Sequence, residues 1–249
     1  MARLLSRQRN PLGRTVRLLG WMADRGAEDY GVRELAGAVA MAPSTVHRSL
    51  AALEEEGLVD SLPSSGRYRL SLGFYRLALR GAARAPLVEQ ALPSLRRVAS
   101  TSGETTLLAL YGEPQIAILY AAEVPSRHAL QVRPALHQWT PLTGSAAGLA
   151  VLAVLAEKAV VAAFGKARTG LSASDLASRL AKVRESGFAS SPGEPGSPWK
   201  EVAAAFATAG GRPLGALSVA LPGQRADPVL EATLGQLLVK EAAELAKQL

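Results

Sequence analysis

Residues 42–70 read APSTVHRSLAALEEEGLVDSLPSSGRYRL, and this stretch decides the fold of the first part of the chain. Pro43 suits the first turn of a helix, because its missing N–H would have no helical partner there. Gly57 suits the end of the same helix. Two short runs of strand-forming residues, 58–60 and 67–70, flank the turn sequence at 63–66 and predict a hairpin.

Two further helices are predicted before this stretch, because apolar residues recur at helical spacing in residues 14–26 and 32–40. The order helix, helix, helix, hairpin within about 70 residues is typical of a winged helix-turn-helix. Helices at residues 72–85 and 87–102 are expected to follow.

Beyond residue 103 the pattern changes to a mixture of strands and helices. Expected strands are residues 105–111, 115–123, 127–133, 200–207 and 214–220, and expected helices are 146–156, 157–164, 174–185 and 227–249. The sequence therefore predicts an α+β protein, with an N-terminal winged helix-turn-helix and a C-terminal antiparallel sheet covered by helices. We place the DNA-binding domain at 1–72, a linker helix at 73–86 and a second domain at 87–249.

Composition excludes several classes of function. The 249 residues include no cysteine and three histidines, which excludes disulfide frameworks, cysteine zinc sites, thiol catalysis and iron–sulfur clusters. The chain has no G-x-S-x-G, phosphate-loop or dinucleotide motif, so we expect no enzyme, no catalytic residues, no cofactor and no metal. The longest apolar run, 146–156, falls short of the about 20 residues that a membrane span needs. With no signal-peptide core near the N-terminus, we expect a cytoplasmic protein.

Positive charge is concentrated in the first third of the chain. Residues 1–86 hold thirteen arginines, no lysine and eight acidic residues, a net charge of +5, whereas the remaining residues carry +2. This asymmetry favours a polyanionic partner for the first part. The alternative is that an arginine-rich composition only reflects the base composition of the genome.

The helix predicted from Pro43 has one face suited to DNA. At 100° per residue, Val46, Leu50 and Leu53 define the buried side, and short or hydrogen-bonding side chains lie opposite. An arginine on such a face can bind guanine through two hydrogen bonds, and the two hairpin arginines share one strand face. The candidate DNA-binding residues are Arg14, Arg33, Ser44, Thr45, His47, Arg48, Arg67 and Arg69.

Each of these residues also has a structural alternative. Ser44 and Thr45 could only cap the helix, and Arg48 could only pair with Glu55 or Glu56 on the helix surface.

The segments STVHR (44–48), LEEEGLV (53–59) and GRYRL (66–70) together resemble the DNA-binding domain of IclR-family transcriptional regulators. PLTGSAAG (141–148) and ALSV (216–219) resemble segments of the effector-binding domain of that family. The resemblance implies a GAF-like effector-binding domain after the linker helix, and dimers or tetramers that bind operator DNA.

A polar group is expected to bind where Thr143, Gly144 and Ser145 precede an apolar helix, because free amides and two hydroxyls meet there. Simple helix capping is the alternative. Trp199 and Glu201 share a strand face and could line a pocket for a cationic or hydroxyl-bearing ligand. Alternatively, Trp199 belongs to the core and Glu201 pairs with an arginine. The resemblance places Glu201 where the family often has Cys, Ser or Ala. The candidate effector-binding residues are Thr143, Gly144, Ser145, Gly148, Trp199, Glu201 and Ser218.

We therefore expect a sequence-specific DNA-binding transcriptional regulator, a repressor rather than an activator, controlled by a small organic effector. A homodimer or tetramer would bind a roughly palindromic operator of double-stranded DNA, and the candidate seam residues are Leu72, Leu77, Leu79 and Leu87. Two alternatives stay open: a small-molecule enzyme or binding module with an accessory DNA-binding domain, and a nonspecific DNA-binding protein.

Overall fold

The computed structural model describes residues 10–26, 28–82, 86–166, 172–192 and 198–249. The chain divides into two compact units, with the division between residues 85 and 86. The α+β fold class predicted from the sequence is confirmed. The functional division into 1–72, 73–86 and 87–249 stays a prediction.

The first unit is a helical bundle that carries a two-stranded hairpin. Its elements are α1 (Pro11–Arg25), α2 (Val32–Ala38), α3 (Pro43–Glu55), β1 (Val59–Leu62), β2 (Arg67–Leu70) and α4 (Leu72–Ala82). Asn10 caps α1 by accepting a hydrogen bond from the Leu12 amide at 3.0 Å, and Gly26 ends it with φ +63°. The hairpin is antiparallel, and a further bridge joins Tyr30 to Tyr68.

The core of this unit lies between the three helices and the hairpin. Side chains from α1, α2, α3 and β1 are fully or almost fully buried there, among them Leu18, Met22, Leu35, Val46, Leu50, Leu53 and Val59. This burial explains the helix-turn-helix pattern: the apolar stripe of each helix faces the same centre, and the opposite faces stay in solvent.

The second unit is built on an antiparallel sheet, which has six strands within the described residues. Its strands are β3 (Thr105–Gly112), β4 (Ala117–Val124), β5 (Trp139–Pro141), β6 (Ala189–Pro192), β7 (Trp199–Ala207) and β8 (Pro213–Pro222), in the order β5-β4-β3-β8-β7-β6. The helices are α5 (Pro86–Ser102), α6 (Ala146–Val154), α7 (Glu157–Lys166), α8 (Ala173–Ser186) and α9 (Pro228–Ala246).

The two faces of the sheet carry separate cores. On one face, α5 and α9 pack against larger apolar residues such as Val202, Phe206 and Leu217. On the other face, α6 and α8 pack against mostly small residues, which include Ala203 and Ala216. Small side chains let α6 lie close to the sheet, and residues Ala146 to Ala153 of that helix are all buried.

One strand prediction was wrong, and two strands were not predicted. Residues 127–133 form no strand, and the third strand of the sheet is Trp139–Pro141. Hydrogen bonds outside the sheet hold this segment. Just before it, Ser126 donates to the Gly103 carbonyl at 2.7 Å, and within it the Leu130 carbonyl accepts a hydrogen bond from Arg225 at 2.9 Å. The edge strand β6, with sequence ASSP, was not predicted because its residues have little strand preference.

Leu87 is partly buried and packs against the core between α5, α9 and the sheet; its place at a seam between protomers stays a prediction. No helix within the described ranges is long and apolar enough to cross a membrane.

Candidate DNA-binding face and buried ligand site

Helix α3 presents a polar face opposite its buried stripe. Val46, Leu50 and Leu53 are buried, whereas Ser44, His47 and Arg48 are exposed and Thr45 is partly exposed. The helix begins after Ala42, which makes no side-chain cap bond. Ser44 and Thr45 are therefore not N-cap residues, and the capping alternative for them is wrong. Their hydroxyls lie in the first turn, on the side that faces solvent.

Arg48 on α3 and Arg33 on α2 are both exposed. Among the described residues, neither makes an ion pair, so Arg48 does not pair with Glu55 or Glu56. Arg14 on α1 is only partly exposed, and it lines a groove with Thr45 between α1 and the residues that precede α3. Positive charge therefore borders the first turns of α3.

The two hairpin arginines are held differently. Arg67 forms ion pairs with Asp29 and Glu34, which tie β2 to the start of α2. Arg69 lies 3.4 Å from Asp60, and both side chains are about half exposed. Exposed ion pairs of this kind are weak, so Arg69 can exchange its partner for a phosphate more easily than Arg67. The carboxylate partners of Arg67 were not predicted, since Asp29 lies 38 residues away in sequence.

In the second unit, the predicted polar site lies at the N-terminus of α6. Ser145 caps this helix by accepting a hydrogen bond from the Gly148 amide at 3.0 Å. A Cβ at Gly148 would lie 2.1 Å from the Leu142 carbonyl oxygen. Gly148 therefore allows the turn at Leu142–Gly144 to pack against the helix, and Gly144 lies in that turn.

The side chain of Glu201 reaches this helix terminus from β7. Its Oε2 accepts hydrogen bonds from the amides of Ala146 at 2.8 Å and Ala147 at 3.4 Å. Its Oε1 accepts a hydrogen bond from the hydroxyl of Tyr120 at 2.8 Å. Within the described ranges its hydrogen bonds go to these groups, so the alternative that Glu201 pairs with an arginine is wrong.

Glu201 is fully buried. Burial raises the pKa of its carboxyl group, and the hydrogen bonds from Tyr120 and the α6 amides oppose this rise. Ser218 faces the same carboxylate and also favours its charged form, although its Oγ is outside hydrogen-bond geometry.

Three buried hydroxyls have no hydrogen-bond partner among the described residues: that of Thr143, which lies in the turn before α6, and those of Ser191 and Ser218, on the strands beside β7. Ser191 stands directly opposite Glu201 on β6, and Ser218 is the partner of Ala203, two residues along β7. Trp199 is partly buried against the same core cluster as α6. The structure thus brings together four predicted residues at one end of α6: Thr143, Ser145, Glu201 and Ser218. Trp199 lies at the start of β7, the strand that carries Glu201.

Tyr120 and Ser191 were not among the predicted site residues. The signal that could have found Tyr120 is a hydrogen-bonding group within the apolar run at residues 117–122 of β4, since a buried tyrosine hydroxyl needs a partner.

Two family models of known proteins match this chain, one in each unit. The family model described as the helix-turn-helix domain of IclR matches residues 11–63, and the model described as the C-terminal domain of the bacterial transcriptional regulator IclR matches residues 80–247. The transcriptional repressor IclR of Escherichia coli is 24% identical over 241 residues, which are 94% of this chain and 88% of that protein.

Solved structures also match over nearly the whole chain. An IclR transcriptional regulator from Silicibacter has 27% identity and a TM-score of 0.77, with 94% of this chain and 95% of that chain covered. An IclR homologue from Microbacterium hydrocarbonoxydans, complexed with 4-hydroxybenzoate, has 23% identity and a TM-score of 0.74, with 96% and 98% covered.

Proposed function

Because the chain belongs to the IclR family of DNA-binding transcriptional regulators, we propose that it is a repressor whose operator affinity is set by a small organic effector in the second unit. The proteins similar to it include operon repressors of Escherichia coli and Salmonella typhimurium. The second unit binds the effector without converting it, since the family consists of regulators and not of enzymes.

The observation that carries this function is the exposed face of α3. Ser44, His47 and Arg48 point away from the core in the first turns of the helix, and the small residue Ala51 follows them. A recognition helix enters the major groove with its N-terminal residues. We assign Arg48 to guanine O6 and N7, and Arg33 on the preceding helix to a phosphate.

Self-association would use α4. Leu72 is 82% exposed and Leu79 is 69% exposed, and both lie with the half-exposed Tyr75 within about 60° on one face of the helix. Leu77, also exposed, lies on a different side. An apolar stripe of this kind supports pairing with a second copy of the chain. Two copies would present two α3 helices to successive major grooves, so the operator should be roughly palindromic.

Effector control is supported by the buried polar site at α6. The hydroxyls of Thr143, Ser191 and Ser218 have no hydrogen-bond partner among the described residues. Buried hydroxyls need a partner, and a small organic molecule would provide one. An IclR homologue of the same fold is complexed with 4-hydroxybenzoate.

Selection of DNA from a random pool, followed by footprinting of the full chain, tests the proposed function. We expect enrichment of one inverted repeat, with half-site centres about one helical turn apart. A shuffled duplex of equal length and composition is the control, measured over a range of salt concentrations. Equal affinity for both duplexes, with only a steep salt dependence, would contradict operator binding and favour a nonspecific DNA-binding protein.

A further inference from the structure

The amides that begin α6 already have an anion bound to them. The N-terminus of a helix favours negative charge, because its first N–H groups have no partner within the helix. Here the carboxylate of Glu201 accepts hydrogen bonds from the amides of Ala146 and Ala147. A carboxylate brought by an effector would need the same two amides.

Three features of the fold keep Glu201 in this position. The residue lies on β7 next to the edge strand, opposite Ala220 on β8 and Ser191 on β6. Ala220 is small and buried, so it leaves room for the long side chain beneath α6. Tyr120 holds the second carboxylate oxygen from β4, on the other side of the site. The carboxylate is therefore held at both oxygens, and the binding is intramolecular.

Three buried hydroxyls, in the turn before α6 and on the strands beside β7, are an independent sign that the site holds more than this carboxylate. Ser218 is fully buried, Thr143 is 6% exposed and Ser191 is 7% exposed, and their oxygens are without partners in the described ranges. Buried polar groups in folded proteins almost always have a partner. Hydroxyls can donate and accept, so these three suit a molecule with hydroxyl or ammonium groups.

We propose that Glu201 is a built-in ligand that fills the anion-binding position at α6, so that the effector of this site is a neutral or cationic molecule and not a carboxylate. This inference names the ligand class of the effector site, and in that respect it rests on the proposed function. A second carboxylate about 4 Å from the ionised Glu201 would lose on the order of a thousandfold in affinity through repulsion, at an effective dielectric constant of about 20.

Removal of the carboxylate tests the inference directly. Glu201→Ala leaves the amides of Ala146 and Ala147 without an acceptor and opens space beside them. We expect sodium acetate and sodium formate to bind the full-length variant and raise its unfolding midpoint in a saturable way. At ten times the dissociation constant the rise should be about 3–6 °C.

Glu201→Gln is the matched control, because it keeps the size of the side chain and an oxygen for the two amides. This variant and the wild type should show no more response to acetate than to sodium chloride at equal ionic strength. Acetamide, which has the shape of acetate but no charge, should stabilise Glu201→Ala much less than acetate does.

Two results would overturn the inference. One is saturable acetate binding to the wild type by calorimetry, since the amides would then be available despite Glu201; this measurement does not depend on how any variant folds. The other is a Glu201→Ala chain that neither acetate nor formate stabilises. Operator binding is measured on the same samples, so a wild type without sequence-specific DNA binding would count against the proposed function alone.

Discussion

Replacement of Tyr120 by phenylalanine tests whether the buried carboxylate is held as the structure indicates. The hydroxyl of Tyr120 donates a 2.8 Å hydrogen bond to Glu201 Oε1, and both residues are buried. Tyr120→Phe keeps the aromatic ring and removes this donor. Because a hydrogen bond to a charged group contributes about 1.5–3 kcal/mol, we expect the free energy of unfolding to fall by that amount.

Scanning calorimetry of the full chain measures the loss. For a unit of this size, each kcal/mol changes the unfolding midpoint by about 2–4 °C, so the transition of the second unit should fall by about 3–12 °C. Tyr111→Phe is the matched control. Tyr111 lies on the neighbouring strand β3 and packs against the same cluster, but its hydroxyl makes no hydrogen bond within the described residues. We expect its change to stay within about 0.5 kcal/mol.

A double-mutant cycle with Glu201→Gln assigns the loss to this contact. If Tyr120 acts through Glu201, the two substitutions together should cost less than the sum of the single ones, with a coupling of about 0.5–3 kcal/mol. Additive losses, or equal midpoint changes for Tyr120→Phe and Tyr111→Phe, would refute the reasoning.

Two further predictions concern the same end of α6. Gly148→Ala would place a Cβ 2.1 Å from the backbone oxygen of Leu142, so we expect the free energy of unfolding in urea to fall by at least about 2 kcal/mol. The control is Gly165→Ala, where a Cβ would meet nothing within 4 Å. This control should be neutral or slightly stabilising. Burial raises the pKa of Glu201 above its ordinary value, so its contribution to stability is fully present at acidic pH and is lost as the pH rises through the raised pKa. As the pH rises from the ordinary pKa of a glutamate through the raised pKa, the wild type should therefore lose free energy of unfolding relative to Glu201→Gln, as measured by urea unfolding. Parallel pH profiles of the two proteins would contradict the raised pKa.

Local sequence predicted much of the first unit because its signals are local. Pro43 and Gly66 mark a helix start and a turn, and both features lie where they were expected, since neither depends on distant residues. The ion pairs of Arg67 were not predicted, because they join residues more than 30 positions apart. The position of Arg67 along its strand shows which face of the hairpin it lies on. It does not show which carboxylates of the folded chain will lie beside that face.

The contacts of the buried site were also only partly predictable from local sequence, because they join residues that are far apart in the chain. Alternation correctly placed Trp199 and Glu201 on one strand face. Tyr120 meets Glu201 across 81 residues, and this depends on the order of four strands. It also depends on a bulge in β4 at Ala121, which has no partner between the pairs Leu108–Ala122 and Ala109–Tyr120, so that the pairing of β3 with β4 shifts by one residue. A shift of one residue exchanges the two faces of a strand, so the bulge turns Tyr120 towards α6. Local sequence does not reveal such a bulge.

The most direct test of the recognition helix is the base preference of Arg48→Ala, measured by quantitative binding to an operator library with every single base-pair change. Arg33→Ala, a second exposed arginine in the same unit, is the control. We predict that Arg48→Ala loses about 1–3 kcal/mol of discrimination at one base-pair position in each half-site. Arg33→Ala should weaken binding to all sequences equally and lower the salt dependence. An unchanged base preference in Arg48→Ala, with only a uniform loss of affinity, would contradict recognition of the operator by Arg48 on α3.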